Sequence, residues 1–320
     1  MPSEDSDPTE SNGFLPTTIP TSPATIFHPL SDKVQTLLNI HIDETGSTQS
    51  VELTKALAQI LRNSDLIWQS QSTRERYIVK CSPEVIIKSI KSSSDFTEYT
   101  SLQYLELHRS QIPAPRPHGL ITSGKSAYLF MTFVPGVTLD KIWPQLQESQ
   151  KESFSKELDA IFSDLRQLQQ PDKMALGGVG GEGCKDTRRH TKISEMPLYT
   201  SSEFWDFQYA GAPVGSHIYL EFLRRLTSSF RAQNCVFTHG DIRTENIIVQ
   251  HDENGKYQVS GIIDWEMSGF YPEDFECTKI TNTLATNETD DWYLHLPPCI
   301  SPAKFPLKWL SDCVWDKQVV

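Results

Sequence analysis

Positive charge is scarce in this chain. Its 29 lysines and arginines face 41 aspartates and glutamates, for a formal net charge of −12. Such a surface argues against a nucleic-acid partner and would attract a cationic substrate, although the same surplus also serves plain solubility. Cysteine is sparse too, and Cys81, Cys184, Cys235, Cys277, Cys299 and Cys313 form neither a C-x-x-C pair nor a metal-ligand spacing. That pattern excludes a cysteine-built metal centre and fits a reduced, cytoplasmic protein. No apolar run approaches the length of a membrane span, so no membrane partner is expected. The opening MPSEDSDPTE is acidic and polar, unlike a secretory signal, which leaves the Asn287-Glu288-Thr289 sequon without meaning. Glycine is missing throughout the stretch between Gly46 and Gly119.

What is present is concentrated in Phe237 to Glu276. There His239-Gly240-Asp241 is followed by Asn246 and, at the end of an apolar run, by Asp264. The segment between reads as a hairpin, with strands over Ile247–Val249 and Tyr257–Ile263 joined through Asn254-Gly255, a pair that tolerates the positive φ of a tight turn. Such a hairpin returns Asp264 to the neighbourhood of Asp241 and Asn246. Three oxygen-bearing side chains in one small volume suit phosphoryl transfer, which needs a carboxylate for the incoming hydroxyl and hard oxygen ligands for Mg²⁺. A His beside an Asp is also a common buried structural pair. A metallophosphoesterase would need further His and Asp clusters, and the other eight of the nine histidines are scattered singly.

The spacing matches the kinase pattern H-R-D-x-x-x-x-N, with Gly240 in place of Arg and Asp264-Trp265-Glu266 in place of D-F-G. In these residues and in the Gly269-Phe270-Tyr271-Pro272-Glu273 continuation, the chain resembles the aminoglycoside phosphotransferase and choline kinase family, most closely its fungal branch. The resemblance spans roughly residues 50 to 310. It implies an α+β, two-lobed protein-kinase-like fold, with Asp241 as catalytic base, Asn246 and Asp264 as metal ligands and His239 as a loop-shaping residue. ATP and Mg²⁺ are the implied cofactors, and the implied partner is a small-molecule acceptor.

On that pattern residues 1–30, rich in Pro, Ser, Thr and acid, form a flexible arm, residues 31–133 an N-lobe, and residues 134–320 a C-lobe with the catalytic loop and acceptor site. A helix is expected over Val51–Leu61, and strands over Asp65–Gln69, Tyr77–Cys81 and Glu84–Ile90. Lys88 closes the last, where a charge needs a partner. In the kinase pattern that partner is phosphate, with a helix glutamate holding the amine. The resemblance assigns this glutamate to Glu98, at the start of a helix over about Asp95–Arg109. Alone, Lys88 is a strand-end lysine and Glu98 an ordinary first-turn acid. Ser126–Phe133 reads as the edge strand leading to the hinge, where the backbone from Thr132 to Val134 would meet adenine.

The loop expected over the phosphates, Gln69–Arg76, has no glycine to let backbone N–H groups approach them. Ser70 and Ser72 are the substitutes expected there.

Farther on, apolar faces predict helices over Gln150–Gln170 and His217–Arg231, the latter burying Ile218, Leu220, Phe222, Leu223, Leu226 and Phe230. Between them, Gly177–Gly183 lacks the strand before and the Lys-Ser/Thr after that a phosphate loop needs. Phe204-Trp205-Asp206-Phe207 borders an acceptor pocket or starts a packed helix. Asp290-Asp291 holds a substrate amine or caps a helix.

The function expected is ATP- and Mg²⁺-dependent transfer of the γ-phosphoryl group to a hydroxyl of a small molecule. A catalytically silent nucleotide- or partner-binding relative and an atypical protein kinase are the alternatives. Gly240 and the absence of an A-P-E segment favour a small acceptor.

Overall fold

The computed structural model describes residues 20–41, 49–70, 76–91, 95–186, 192–209, 216–228, 232 and 234–318. They form two compact units, one drawn from Met1–Ser94 with Pro117–Phe133, the other from Asp95–Arg116 with Val134–Val320. The architecture is α+β, a β-rich unit and a mainly helical one, and Asp95–Arg116, expected within an N-lobe over residues 31–133, clusters with the second unit instead.

The first unit contains β1 (Ala24–His28), α1 (Asp32–Leu38), α2 (Ser50–Arg62), β2 (Asp65–Gln69), β3 (Tyr77–Lys80) and β4 (Val85–Lys91), then β5 (Pro117–Ser123) and β6 (Ser126–Thr132). The strands make one antiparallel sheet in the order β1-β5-β6-β4-β3-β2. Because side chains alternate along a strand, Val85 and Ile87 of β4 enter one core with Val79, Tyr128 and Phe130. Leu53, Leu57 and Leu61 of α2 join them from positions four residues apart, one face of a helix. Lys88, in register with Ile78 and Leu129, belongs to the opposite set of β4 positions and is nevertheless only 7% exposed.

The flexible arm expected over residues 1–30 does not hold for Ala24–His28, which form an edge strand of this sheet. An edge strand needs only one anchored face. Ala24 is buried, and its backbone is fastened to α2 by Thr54 Oγ1 at 2.8 Å and Ser50 Oγ at 2.9 Å. Residues 1–19 of the arm lie outside the described residues.

Three residues of β5 carry no strand signal, Pro117-His118-Gly119. Gly119 has φ +128°, and a Cβ there would stand 2.8 Å from the Pro29 carbonyl, so the chain entering α1 crosses it closely.

The second unit begins with α3 (Thr97–His108), burying Glu98, Tyr99, Leu102 and Leu105. There follow β7 (Val137–Thr138), α4 (Leu139–Ile142), α5 (Glu148–Leu165), β8 (Lys185–Asp186), β9 (Lys192–Ile193), α6 (Ser201–Tyr209) and α7 (His217–Thr227). Next come β10 (Cys235–Thr238), β11 (Ile247–His251), β12 (Tyr257–Ile262), β13 (Gly269–Pro272), α8 (Phe275–Lys279) and α9 (Pro306–Gln318). Helix α5 buries Phe154, Leu158, Phe162 and Leu165, and a capping box between Gln147 and Gln150 starts it.

Helix α7 packs by a face that keeps Leu223 of the expected set but not Ile218, Phe222 or Leu226. Ile218, Phe222 and Leu226 are 76%, 59% and 54% exposed, whereas Tyr219 and Leu223 pack against Trp205, Tyr209 and Trp315. The aromatic partners select the face, which apolar count alone draws too widely. Phe230 and the Leu220 side chain lie outside the described residues. Among the described residues, no helix is long and apolar enough to cross a membrane.

Candidate active site

The site grows from two antiparallel pairs of the second unit. Strand β10 pairs with β13, and β11 with β12, so the loop from Thr238 to Ile247 and the turn from Ile262 to Gly269 arise side by side. The hairpin closes through Gly255 at φ +75°, with the Asp252 side chain accepting from Asn254 N and Lys256 N, both at 2.8 Å.

Asn246 ends a short turn and is 4% exposed. Its amide Nδ2 donates to the Asp241 carbonyl at 2.8 Å and to Asp241 Oδ2 at 3.2 Å. Its own carbonyl accepts from Ile263 N at 2.9 Å, setting Asp264 one residue from this tie. Arg243 Nε lies 3.6 Å from Asp241 Oδ2.

Asp264 has left-handed backbone, φ 67° and ψ 61°, uncommon for a residue with a Cβ and often a mark of a functional site. Trp265 holds the turn from within, its Nε1 donating to Ile262 O at 2.7 Å. Carboxylate oxygens of Asp264, Glu266 and the buried Glu98 all lie within 4.8 Å of one another. Hard oxygen donors so crowded favour a divalent cation such as Mg²⁺.

His239 is fully buried, with Nδ1 accepting from Asp241 N at 3.2 Å and Nε2 3.0 Å from the Ile263 carbonyl. An accepting Nδ1 leaves the proton on Nε2, so the neutral imidazole bridges the loop carrying Asp241 to the strand end carrying Asp264. Gly240 follows with φ +82°, and a Cβ there would stand 2.5 Å from the Met267 carbonyl. The glycine at the position of the kinase arginine is therefore required by close backbone crossing.

Beneath this crossing lies Glu276, 1% exposed. Its carboxylate accepts from His239 N at 2.9 Å and from Gly240 N at 3.1 and 3.2 Å. Burial pushes its carboxyl up to about 7, opposed by these N–H groups and by Arg166 and Lys279. Sequence reasoning missed Glu276, Glu266 and Arg243. An acid between Phe275 and Cys277 in an apolar stretch is the signal that would have found Glu276.

Of the other expected residues, Lys88, Ser70 and Thr132 are in the first unit. Ser70 N donates to Arg76 O at 2.9 Å, closing the base of the β2–β3 hairpin, and Ser72 lies outside the described residues. Thr132 Oγ1 is 3.2 Å from His118 Nε2. Val134 belongs to the second unit and packs on the strand leading to Asp264, where a Cβ on Gly261 would stand 2.5 Å from its Cγ1.

In the second unit the aromatic patch packs and the acidic pair caps and pairs. Phe204 stacks edge-on against Tyr271 and Phe275 at 5.4 and 5.0 Å, and Trp205 is fully buried, as in a packed helix. Asp290 caps a short turn by accepting from Trp292 N at 2.9 Å, while Asp291 pairs with Lys151 and accepts from Trp143 Nε1 at 2.8 Å. The glycine-rich stretch is a crossing too: Gly177 and Phe270 exchange backbone hydrogen bonds at 2.8 and 2.9 Å.

Compared with known proteins, the chain matches the model of the phosphotransferase enzyme family over residues 60–296. None of the curated proteins compared matches it. Among solved structures, it is similar to a thermostable mutant of aminoglycoside phosphotransferase APH(4)-Ia in ternary complex with AMP-PNP and hygromycin B. The identity is 15%, over 70% of this chain and 74% of that one, with TM-score 0.46. Aminoglycoside phosphotransferase APH(3'')-Id from Streptomyces rimosus is 15% identical over 81% and 97% of the two chains, with TM-score 0.45. The gentamicin complex of APH(2")-IIa is 12% identical over 78% and 77%, with TM-score 0.47. With the family model spanning most of its length, the chain belongs to the phosphotransferase enzyme family.

Proposed function

We propose that this protein transfers the γ-phosphoryl group of ATP to a hydroxyl of a small molecule, with Mg²⁺ as the required cation. The observation that carries the reading is the tie of Asp241 to Asn246 and of Asn246 to the strand end before Asp264. It joins the loop of Asp241 to the strand end before Asp264, the arrangement that oxygen donors for phosphoryl transfer would need.

Asp241 is the base in this reading, orienting the acceptor hydroxyl and taking its proton. Its side chain is 37% exposed, so an acceptor can reach it. The Asn246 amide holds that carboxylate in one orientation. Asn246 and Asp264 would hold Mg²⁺, with Glu98 and Glu266 near Asp264; when bound, the cation neutralises phosphate charge. Lys88, Glu98, Ser70, Ser72, Thr132 and Val134 are the remaining nucleotide contacts proposed, Lys88 and Glu98 as the phosphate-binding pair.

A small acceptor is favoured over a protein because the turn Trp265–Met267 runs directly into β13, leaving no long activation segment after Asp264. The net charge of −12 suits a cationic one, as aminoglycosides are.

The test is transfer of label from γ-labelled ATP to a panel of hydroxyl-bearing amines, sugars and aminoglycosides. The expected result is a labelled small molecule whose formation needs Mg²⁺ and is lost in Asp241→Asn. Label appearing only on protein bands would contradict the reading.

A further inference from the structure

Lys185 is a buried cation that the reading above does not use. It is 3% exposed, and a charge so buried is tolerated only when fully paired. Its ammonium has three hydrogens and finds acceptors on two sides. Toward the start of α3 it meets Asp95 Oδ2 at 2.7 Å, Asp95 Oδ1 at 2.9 Å and Thr97 Oγ1 at 2.8 Å. Toward the turn after Asp264 it donates to the Glu266 carbonyl at 2.6 Å. Thr97 directly precedes Glu98, and Glu266 lies two residues beyond Asp264.

The same segment grips α3 again one turn on, where Glu182 Oε1 accepts from Thr100 Oγ1 at 2.8 Å. Glu182 is itself held, its Oε2 accepting from Gly180 N at 2.9 Å. The segment is anchored to β13 as well. Lys185 N donates to the Tyr271 hydroxyl at 3.0 Å, and Gly177 and Phe270 exchange backbone bonds. Asp95 in turn accepts from Thr97 N at 3.1 Å and Thr97 Oγ1 at 2.7 Å, satisfying the first backbone donor of the helix it helps to hold. Burial acts to raise the Asp95 carboxyl, but the Lys185 ammonium and the Thr97 bonds outweigh it and keep it lowered.

In protein kinases the position of the glutamate-bearing helix is a regulated variable, set partly by the activation loop. Here a stretch far along the chain, Gly177–Asp186, fastens that helix directly to the turn bearing Asp264.

We propose that Lys185 is a positioning residue for the metal-nucleotide site, tying the start of α3 to the Asp264–Glu266 turn so that Glu98, Asp264 and Glu266 converge. This rests on the nucleotide reading above. Lys185 touches no reacting atom in it and acts through the groups it holds.

The test uses the full chain and titrates Mg²⁺ at fixed ATP, reading ATP-dependent thermal stabilisation in wild type, Lys185→Met and Thr97→Val. Residues that orient metal-binding groups typically change metal affinity by about 10–100-fold. Lys185→Met should raise the Mg²⁺ needed for half-maximal stabilisation by about tenfold or more, and Thr97→Val should raise it less. Binding of ATP without Mg²⁺ should stay unchanged in both. A purely structural lysine would lower the melting temperature and leave the Mg²⁺ midpoint at the wild-type value, and that result overturns the proposal. If Lys185→Met does not fold, Thr97→Val decides: a raised midpoint supports the clamp, an unchanged one refutes it. A wild type without any response to Mg-ATP would overturn the nucleotide reading, and the clamp with it.

Discussion

Glu276 accepts a hydrogen bond from the Gly240 backbone, at 3.1 and 3.2 Å from its two oxygens, while being 1% exposed. The loop carrying Asp241 therefore stands on a buried carboxylate of α8, beyond the β11–β12 hairpin and β13. His239 N shares that carboxylate at 2.9 Å, so both backbone donors ahead of Asp241 are satisfied by one side chain.

Burial raises the Glu276 carboxyl to about 7 in the folded protein. An unfolded glutamate ionises near 4.3, so between these values the folded state holds a proton that the unfolded state has released. Stability from this group is thus fully present below the unfolded value and falls as pH rises to about 7. Glu276→Gln, a neutral isostere, should lack this slope. The stability difference between the two should move in favour of the variant by on the order of 3 kcal/mol from pH 4 to 8, read by urea unfolding at a series of pH values. A pH-independent difference would contradict it.

Gly240→Ala places a Cβ against the Met267 carbonyl, 2.5 Å away, on a backbone with φ +82°. The left-handed conformation costs about 1–2 kcal/mol and the overlap a further 1–3 kcal/mol, so a loss of roughly 2–5 kcal/mol is expected in urea unfolding. Arginine, the kinase residue, should be no better tolerated. A loss below about 0.5 kcal/mol, typical of neutral surface sites, would show that the crossing can yield.

On α7, Phe222→Ser should change stability by no more than about 0.5 kcal/mol, because Phe222 is 59% exposed. Leu223→Ala, next to it, should cost about 1–2 kcal/mol by withdrawing from Trp205, Tyr209 and Trp315. Equal losses, or the reverse order, would mean that the face has been assigned wrongly.

Asp241→Asn keeps the shape of the side chain and removes its capacity to take a proton. The variant should fold, retain stabilisation by Mg-ATP, and lose about 10²–10⁴-fold in transfer rate once an acceptor is known. Full activity in the variant would remove Asp241 from the base position.

How much of this was legible in the sequence depends on distance along the chain. The β11–β12 hairpin was readable because its short apolar runs and Asn254-Gly255 are local signals. The α3 face of Tyr99, Leu102 and Leu105 was readable for the same reason. Strand β5 was hidden because Pro117 and Gly119 disguise it, and β1 because an edge strand needs few anchors. Asp241, Asn246 and Asp264 stood out as a spaced set. Glu276 and Lys185 did not: each acts across a long sequence separation, on backbone groups or on an acid that looks like an ordinary surface residue.

The most direct measurement is thermal unfolding of wild type and Asp264→Ala with and without Mg-ATP. A ligand at a hundred times its dissociation constant adds about 2.7 kcal/mol to the folded state. The account predicts a shift of that order in wild type and its loss in Asp264→Ala. No shift in wild type, or an equal shift in both, would contradict a metal-nucleotide site built on Asp264.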